Sequence, residues 1–146
     1  MRIRAVFLAG LNLLGLLLSV YATSQALALS RLHLSGPPVC PVLLGIPACL
    51  IVLLCYVLIS ISWGIALAGK QNRLALIVFL SGFTPAFLLA VYGSLGEIFG
   101  FAECPKTPNG FPKCFISFGF LIVLMGGWLY SSFLSSYSEM KDSTSA

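Results

Sequence analysis

The sequence predicts an all-α fold: an integral membrane four-helix bundle built from two helix–loop–helix repeats. Three observations lead there. Of 146 residues, 59% are hydrophobic and 8% are charged, whereas a soluble domain carries about 25% charged residues. Too few charges remain to cover a water-facing surface, so a bilayer must be the solvent for most of the chain. Next, four apolar stretches each reach the roughly 20 residues that a spanning helix needs. Lastly, the chain repeats itself. CPVLLGIPAC at 40–49 returns as CPKTPNGFPKC at 104–114. Both copies begin Cys-Pro, close Gly-x-Pro-x-Cys and run into a long apolar segment. Leu17-Leu18-Ser19-Val20-Tyr21 precedes the first copy, and Leu88-Leu89-Ala90-Val91-Tyr92 precedes the second. Duplicated halves are common in membrane proteins. The alternative is chance similarity of two apolar hairpins; Cys, Pro and Gly recurring in one order argue against it.

The elements follow in order, within a single domain. After the basic start Met1-Arg2-Ile3-Arg4, residues 5–30 carry no charge, and the first helix is expected over about 5–28. A cleaved signal peptide is the competing reading of this segment, but the apolar run exceeds the usual signal core of about 7–15 residues. A loop over 29–48 holds Arg31, His33, Gly36, the Pro37-Pro38 pair and the first cysteine motif. Pro-Pro cannot continue a helix. The second helix is expected over 47–68, with Pro47 in a first-turn position. A polar turn, Gly69-Lys70-Gln71-Asn72-Arg73, leads to a third helix over 74–96, where Pro85 predicts a kink. The second loop, 97–113, turns at Thr107-Pro108-Asn109-Gly110. The fourth helix is expected over 112–136, before a polar, mobile tail at 137–146. Gly10, Gly15, Ala22, Gly64, Gly119, Gly126 and Gly127 are candidate sites of close helix approach, and Asn12 in mid-helix is expected as helix–helix glue.

Four spans put both termini on one side and both cysteine loops on the other. Arg2, Arg4, Lys70, Arg73 and Lys141 fall on the terminal side, against Arg31, Lys106 and Lys113 on the loop side. The positive-inside rule then places the termini in the cytoplasm. Paired loop cysteines independently predict an oxidising periplasmic, extracellular or lumenal face. The net charge of +4 is scattered and forms no basic stripe of the kind nucleic acid requires.

Cys40, Cys49, Cys104 and Cys114 are the candidate chemical residues. Cys49 and Cys114 lie at helix N-termini, where the partial positive charge stabilises a thiolate, the form that attacks disulfides. One reading is a thiol–disulfide relay between two pairs. Another is two structural disulfides pinning the loops. A third is four thiolates on one zinc, although finger spacings are absent. Cys55, in mid-helix, reads as a packing residue. His33 and Glu97 each precede a cysteine motif by the same spacing; they are proton carriers on one reading and polar loop groups on the other. Tyr21 and Tyr92 are expected either as interfacial anchors or as walls of a quinone pocket, with Asn12, Ser81 and Thr84 deeper.

These features resemble the vitamin K epoxide reductase family, which shares its bundle with DsbB-type disulfide-forming proteins. The likeness lies in Leu18-Ser19-Val20-Tyr21, the Tyr21–Cys40–Cys49 spacing, Val91-Tyr92, and a second cysteine pair at the entrance to the fourth helix. The resemblance implies that Cys40 and Cys49 exchange electrons with a thioredoxin-like partner and that Cys104 and Cys114 stand on the side of a lipid quinone. Where the family carries Cys-x-x-Cys, this chain has a second copy of its loop motif. The expectation is therefore a membrane thiol–disulfide oxidoreductase. The alternative is a non-enzymatic membrane subunit or assembly factor, part of a membrane-protein complex, with its loops stapled by disulfides. A transporter is the weaker third reading, since its spans hold almost no intramembrane charge.

Overall fold

A computed structural model describes residues 2–36, 40–68, 73–101 and 104–144. Four helices account for most of them: α1 (Arg2–Ser35), α2 (Ala48–Leu67), α3 (Arg73–Phe99) and α4 (Lys113–Thr144). All four contain a stretch long and apolar enough to cross a membrane. In hydrocarbon the backbone must bond within its own segment, so helices are the form such stretches take. α1 packs on α2 and α4, and α3 packs on the same two helices, closing a ring. Large apolar side chains such as Leu14, Leu17, Leu54, Ile77 and Leu88 point outward, which suits lipid as the solvent and would not suit water. The chain thus has the makeup of a multi-pass membrane protein.

The centre of the ring is aromatic. Trp63 of α2 meets Trp128 of α4 edge to face at 5.2 Å, and Phe79 of α3 stacks on Trp128 at 4.6 Å. Phe83 and Phe87 continue the stack up α3 toward Phe118. α1 can close on this centre because Gly15 has no side chain: a Cβ there would stand 2.7 Å from the Trp63 ring. α2 and α3 meet at Gly82, where a Cβ would fall 2.6 Å from the Cys55 carbonyl oxygen. Ala22 is buried as expected, whereas Gly10, Gly64, Gly119 and Gly126 face open space and mediate no close approach. Asn12 acts as glue: its Oδ1 accepts a 2.8 Å hydrogen bond from the Ser131 hydroxyl, tying α1 to α4. Cys55 is a free, buried member of the core.

The repeat is structural. The Cys40–Cys49 and Cys104–Cys114 disulfides each close one loop. In the first loop, β1 (Val42–Leu43) and β2 (Ile46–Pro47) pair antiparallel. In the second, Lys106 and Pro112 form an isolated antiparallel bridge. The same backbone bond shuts both: Ala48 N–H to Pro41 O at 2.9 Å, and Lys113 N–H to Pro105 O at 3.0 Å. Each donor immediately precedes the second cysteine of its pair, and each acceptor immediately follows the first.

Three boundaries differ from expectation. α1 runs through Arg31 to Ser35, because nothing before Gly36-Pro37-Pro38 breaks a helix; polarity alone does not. α4 runs on to Thr144, since no Gly or Pro interrupts the tail after Gly127. At about 1.5 Å per residue, α1 and α4 are longer than a hydrocarbon core requires. α3 continues past residue 96 and ends at Gly100, whose φ of 73° lets the Phe101 N–H return to the Gly96 carbonyl at 3.0 Å, a left-handed helix stop.

Candidate functional site

At the disulfide end all four helices line one cavity of about 360 Å³. Each helix contributes a stripe at helical spacing. Tyr21, Ala22, Gln25, Ala26 and Leu29 come from α1, and Ala86, Leu89, Ala90 and Gly93 from α3. Cys49, Val52 and Tyr56 of α2 face Cys114, Ser117 and Phe120 of α4. Cys40 and Cys104 complete the wall from the loops. All four candidate cysteines and both candidate tyrosines therefore border the same space.

Local sequence sets each disulfide. Pro47 caps α2 in an extended conformation, and Pro112 directly precedes α4. Cys49 and Cys114 are thus each the second residue of their helix, where the unpaired N–H groups and the helix dipole favour a thiolate once the disulfide is opened. Cys40, Cys49 and Cys104 are buried, 6%, 6% and 7% exposed; Cys114 is half-buried. The second disulfide lies flat on α3. A Cβ on Gly93 would stand 2.8 Å from Cys114 Sγ and 3.1 Å from Cys104 Sγ.

Glu97 is a latch in the structure. Its Oε2 accepts the Cys104 N–H at 3.1 Å, and its Oε1 pairs with Lys106 Nζ at 3.2 Å. It ties the start of the second loop to the last turn of α3. The side chain of His33 lies outside the described residues. Tyr21 and Tyr92 are half-exposed at the rim, with rings 6.0 Å from Phe120 and 5.6 Å from Phe101.

The expected deep polar groups are elsewhere. Ser81 and Thr84 are exposed on the outer face of α3, out of register with the Ala86–Ala90–Gly93 stripe, and Asn12 is engaged with Ser131. The polar pair on the cavity wall is Tyr56 and Ser117, whose hydroxyls share a 2.7 Å hydrogen bond. Both were within reach of sequence reasoning. Tyr56 lies seven residues after Cys49 and Ser117 three after Cys114, so each falls on the cysteine face of its helix.

The arrangement can hold an apolar molecule with a few polar atoms beside two disulfides. Its size and lining are those of ordinary small-molecule sites, which run to about 300–1,000 Å³ with mostly apolar walls. No protein-family model, curated protein or solved structure matches this chain with significance.

Proposed function

We propose that the chain is a multi-pass membrane thiol–disulfide oxidoreductase of the vitamin K epoxide reductase type, acting between a thioredoxin-like partner and a lipid quinone. The observation that carries the reading is the convergence of both disulfides on one apolar cavity rimmed by Tyr21 and Tyr92. Two disulfides serving only as loop ties have no need to share a space. In each cycle a partner dithiol gives two electrons to a disulfide of the chain; the partner leaves as a disulfide and the chain holds a dithiol. That dithiol closes again as the quinone takes both electrons and two protons to become a quinol. The quinone's ring fits the cavity's apolar walls, and the Tyr56–Ser117 hydroxyl pair offers a donor to a ring oxygen. The charge bias supports termini in the cytoplasm, and the paired loop cysteines independently support an oxidising side for the site.

The resemblance gives the partner side to Cys40–Cys49 and the quinone side to Cys104–Cys114. The greater exposure of Cys114 favours entry of a water-borne thiol there. The test therefore uses Cys49→Ser and Cys114→Ser separately, in chain reconstituted with quinone and offered a model dithiol. Exchange should be lost, or arrested as a mixed disulfide, in at least one of them. Unaltered dithiol oxidation in both would sink the proposal.

A second reading has its own support. Both disulfides bracket the same closed loop, and three of four sulfurs are buried, as in structural staples. On that reading the chain is a non-enzymatic membrane subunit. Its cysteines stay blocked to alkylation whether quinone is supplied or withheld, whereas a relay exposes thiols when quinone is withheld.

A further inference from the structure

Between Arg31 and Lys70 the sequence contains no Asp, Glu, Lys or Arg. α2 occupies only Ala48–Leu67 of that stretch, so the loop before it is as free of charge as a membrane span. Its β1–β2 hairpin is apolar on both faces. Val42, Leu43 and Ile46 are all exposed, although successive residues of a strand point to opposite faces.

The tip is the telling part. Leu44 and Gly45 form the two-residue turn, with φ of 52° and 82°. Turns with positive φ at both central positions favour Asn-Gly or Asp-Gly. Leucine is disfavoured in this left-handed conformation, and here its side chain is 99% exposed. A tip in water would gain from Asn on both counts; a tip in hydrocarbon gains from Leu. The second loop supplies the contrast. At the matching place it carries Thr107-Pro108-Asn109-Gly110 directly after Lys106, although Phe111, which stands where the first copy has Ile46, is exposed too. The hairpin is also continuous with the lipid-facing surface. The carbonyl of Pro41, just before it, accepts the N–H of Ala48, the first residue of α2, the helix whose Leu54, Val57 and Ile61 point outward.

We propose that the 42–47 hairpin is a lipid-inserting tip, which dips past the headgroups into the acyl boundary beside the disulfide end. The occupant of this surface is the bilayer. The two copies of the loop have thereby diverged: the first faces lipid, and the second faces water. The inference does not depend on the redox reading.

The test uses the full chain in phosphatidylcholine vesicles, with Leu44→Trp and Ile46→Trp as reporters and Asn109→Trp as the water-side reference. Trp63 and Trp128 are buried in the bundle, and their emission is subtracted with the unsubstituted chain. Expected for Leu44→Trp and Ile46→Trp are blue-shifted emission, loss of intensity in brominated lipid and indifference to iodide. Asn109→Trp should show the reverse. Red-shifted emission from both hairpin reporters, quenched by iodide and unchanged in brominated lipid, overturns the proposal and places the hairpin in water.

Discussion

Gly93 carries no side chain where a side chain would meet two sulfurs. In Gly93→Ala the added methyl must push Cys104–Cys114 off α3, because the helix backbone cannot retreat. Overpacking of this kind costs about 1–3 kcal/mol. The expected outcome is selective: alkylation after mild reduction should show Cys104–Cys114 opening more readily than in the parent, with Cys40–Cys49 unchanged. Equal response of the two pairs would mean that Gly93 is only a spacer in α3. The role of Gly93 could not be read from sequence, since a lone glycine in an apolar helix does not announce which neighbour it admits. The same blindness explains why Gly10 and Gly64 were expected at helix contacts and stand instead in open space. Asn12 was legible for the opposite reason: a lone amide in an apolar run must find a partner, and here it finds Ser131. Removing that partner by Ser131→Ala should lower stability by about 1 kcal/mol, the usual scale for hydrogen bonds between membrane helices, measured by unfolding in mixed micelles.

At the scale of the element, the two loops are one design used twice. Cys-Pro, Gly-x-Pro-x-Cys and a helix start suffice to write the loop into the sequence, and the matching Ala48–Pro41 and Lys113–Pro105 bonds are its backbone signature. The second copy holds one residue more between its cysteines. Thr107 takes up the difference: its N–H donates to the Phe111 carbonyl and its Oγ1 accepts the Phe111 N–H. α1 was expected to end near residue 28, where the uncharged run stops, yet it continues to Ser35 because only Gly36 and the prolines after it break a helix. Opening one ring by the double change Cys40→Ser and Cys49→Ser should cost about 3 kcal/mol, the loop-closure entropy of roughly ten residues, read as an earlier unfolding transition in detergent titration. A membrane-impermeant phosphine applied from the loop side should reduce Cys104–Cys114 before Cys40–Cys49, because Cys114 is half-buried and its loop is polar, while both sulfurs of the first pair are buried beneath an apolar hairpin. The reverse order, read by mass after differential alkylation, would place the first loop in water.

For the whole molecule, close packing at one level and a cavity at another make the site. Around Trp63, Phe79 and Trp128 the four helices close on aromatic rings with Gly15 giving way; toward the cysteines, Ala22, Ala86 and Ala90 replace those rings and leave a cavity. Fold class and both cysteine pairs were legible because they rest on composition and repetition. The cavity was not, since it depends on which small residues face one another across four helices. Its volume offers a test of the proposed relay. Ala90→Phe would send a ring into the cavity from α3, where Ala90 lies outside both disulfide loops in sequence. If the cavity receives the quinone, this variant should still be reduced by a dithiol, yet fail to close its disulfides again when quinone is added. Thiols would then accumulate, and a higher quinone concentration would recover little. If the disulfides are staples, Ala90→Phe and the parent should carry the same number of blocked cysteines under every condition. Counting free thiols by alkylation and mass, with quinone present and withheld, separates the two outcomes in one experiment. A folding defect would be visible in the same spectrum, as alkylation of Cys55, which only an opened core exposes.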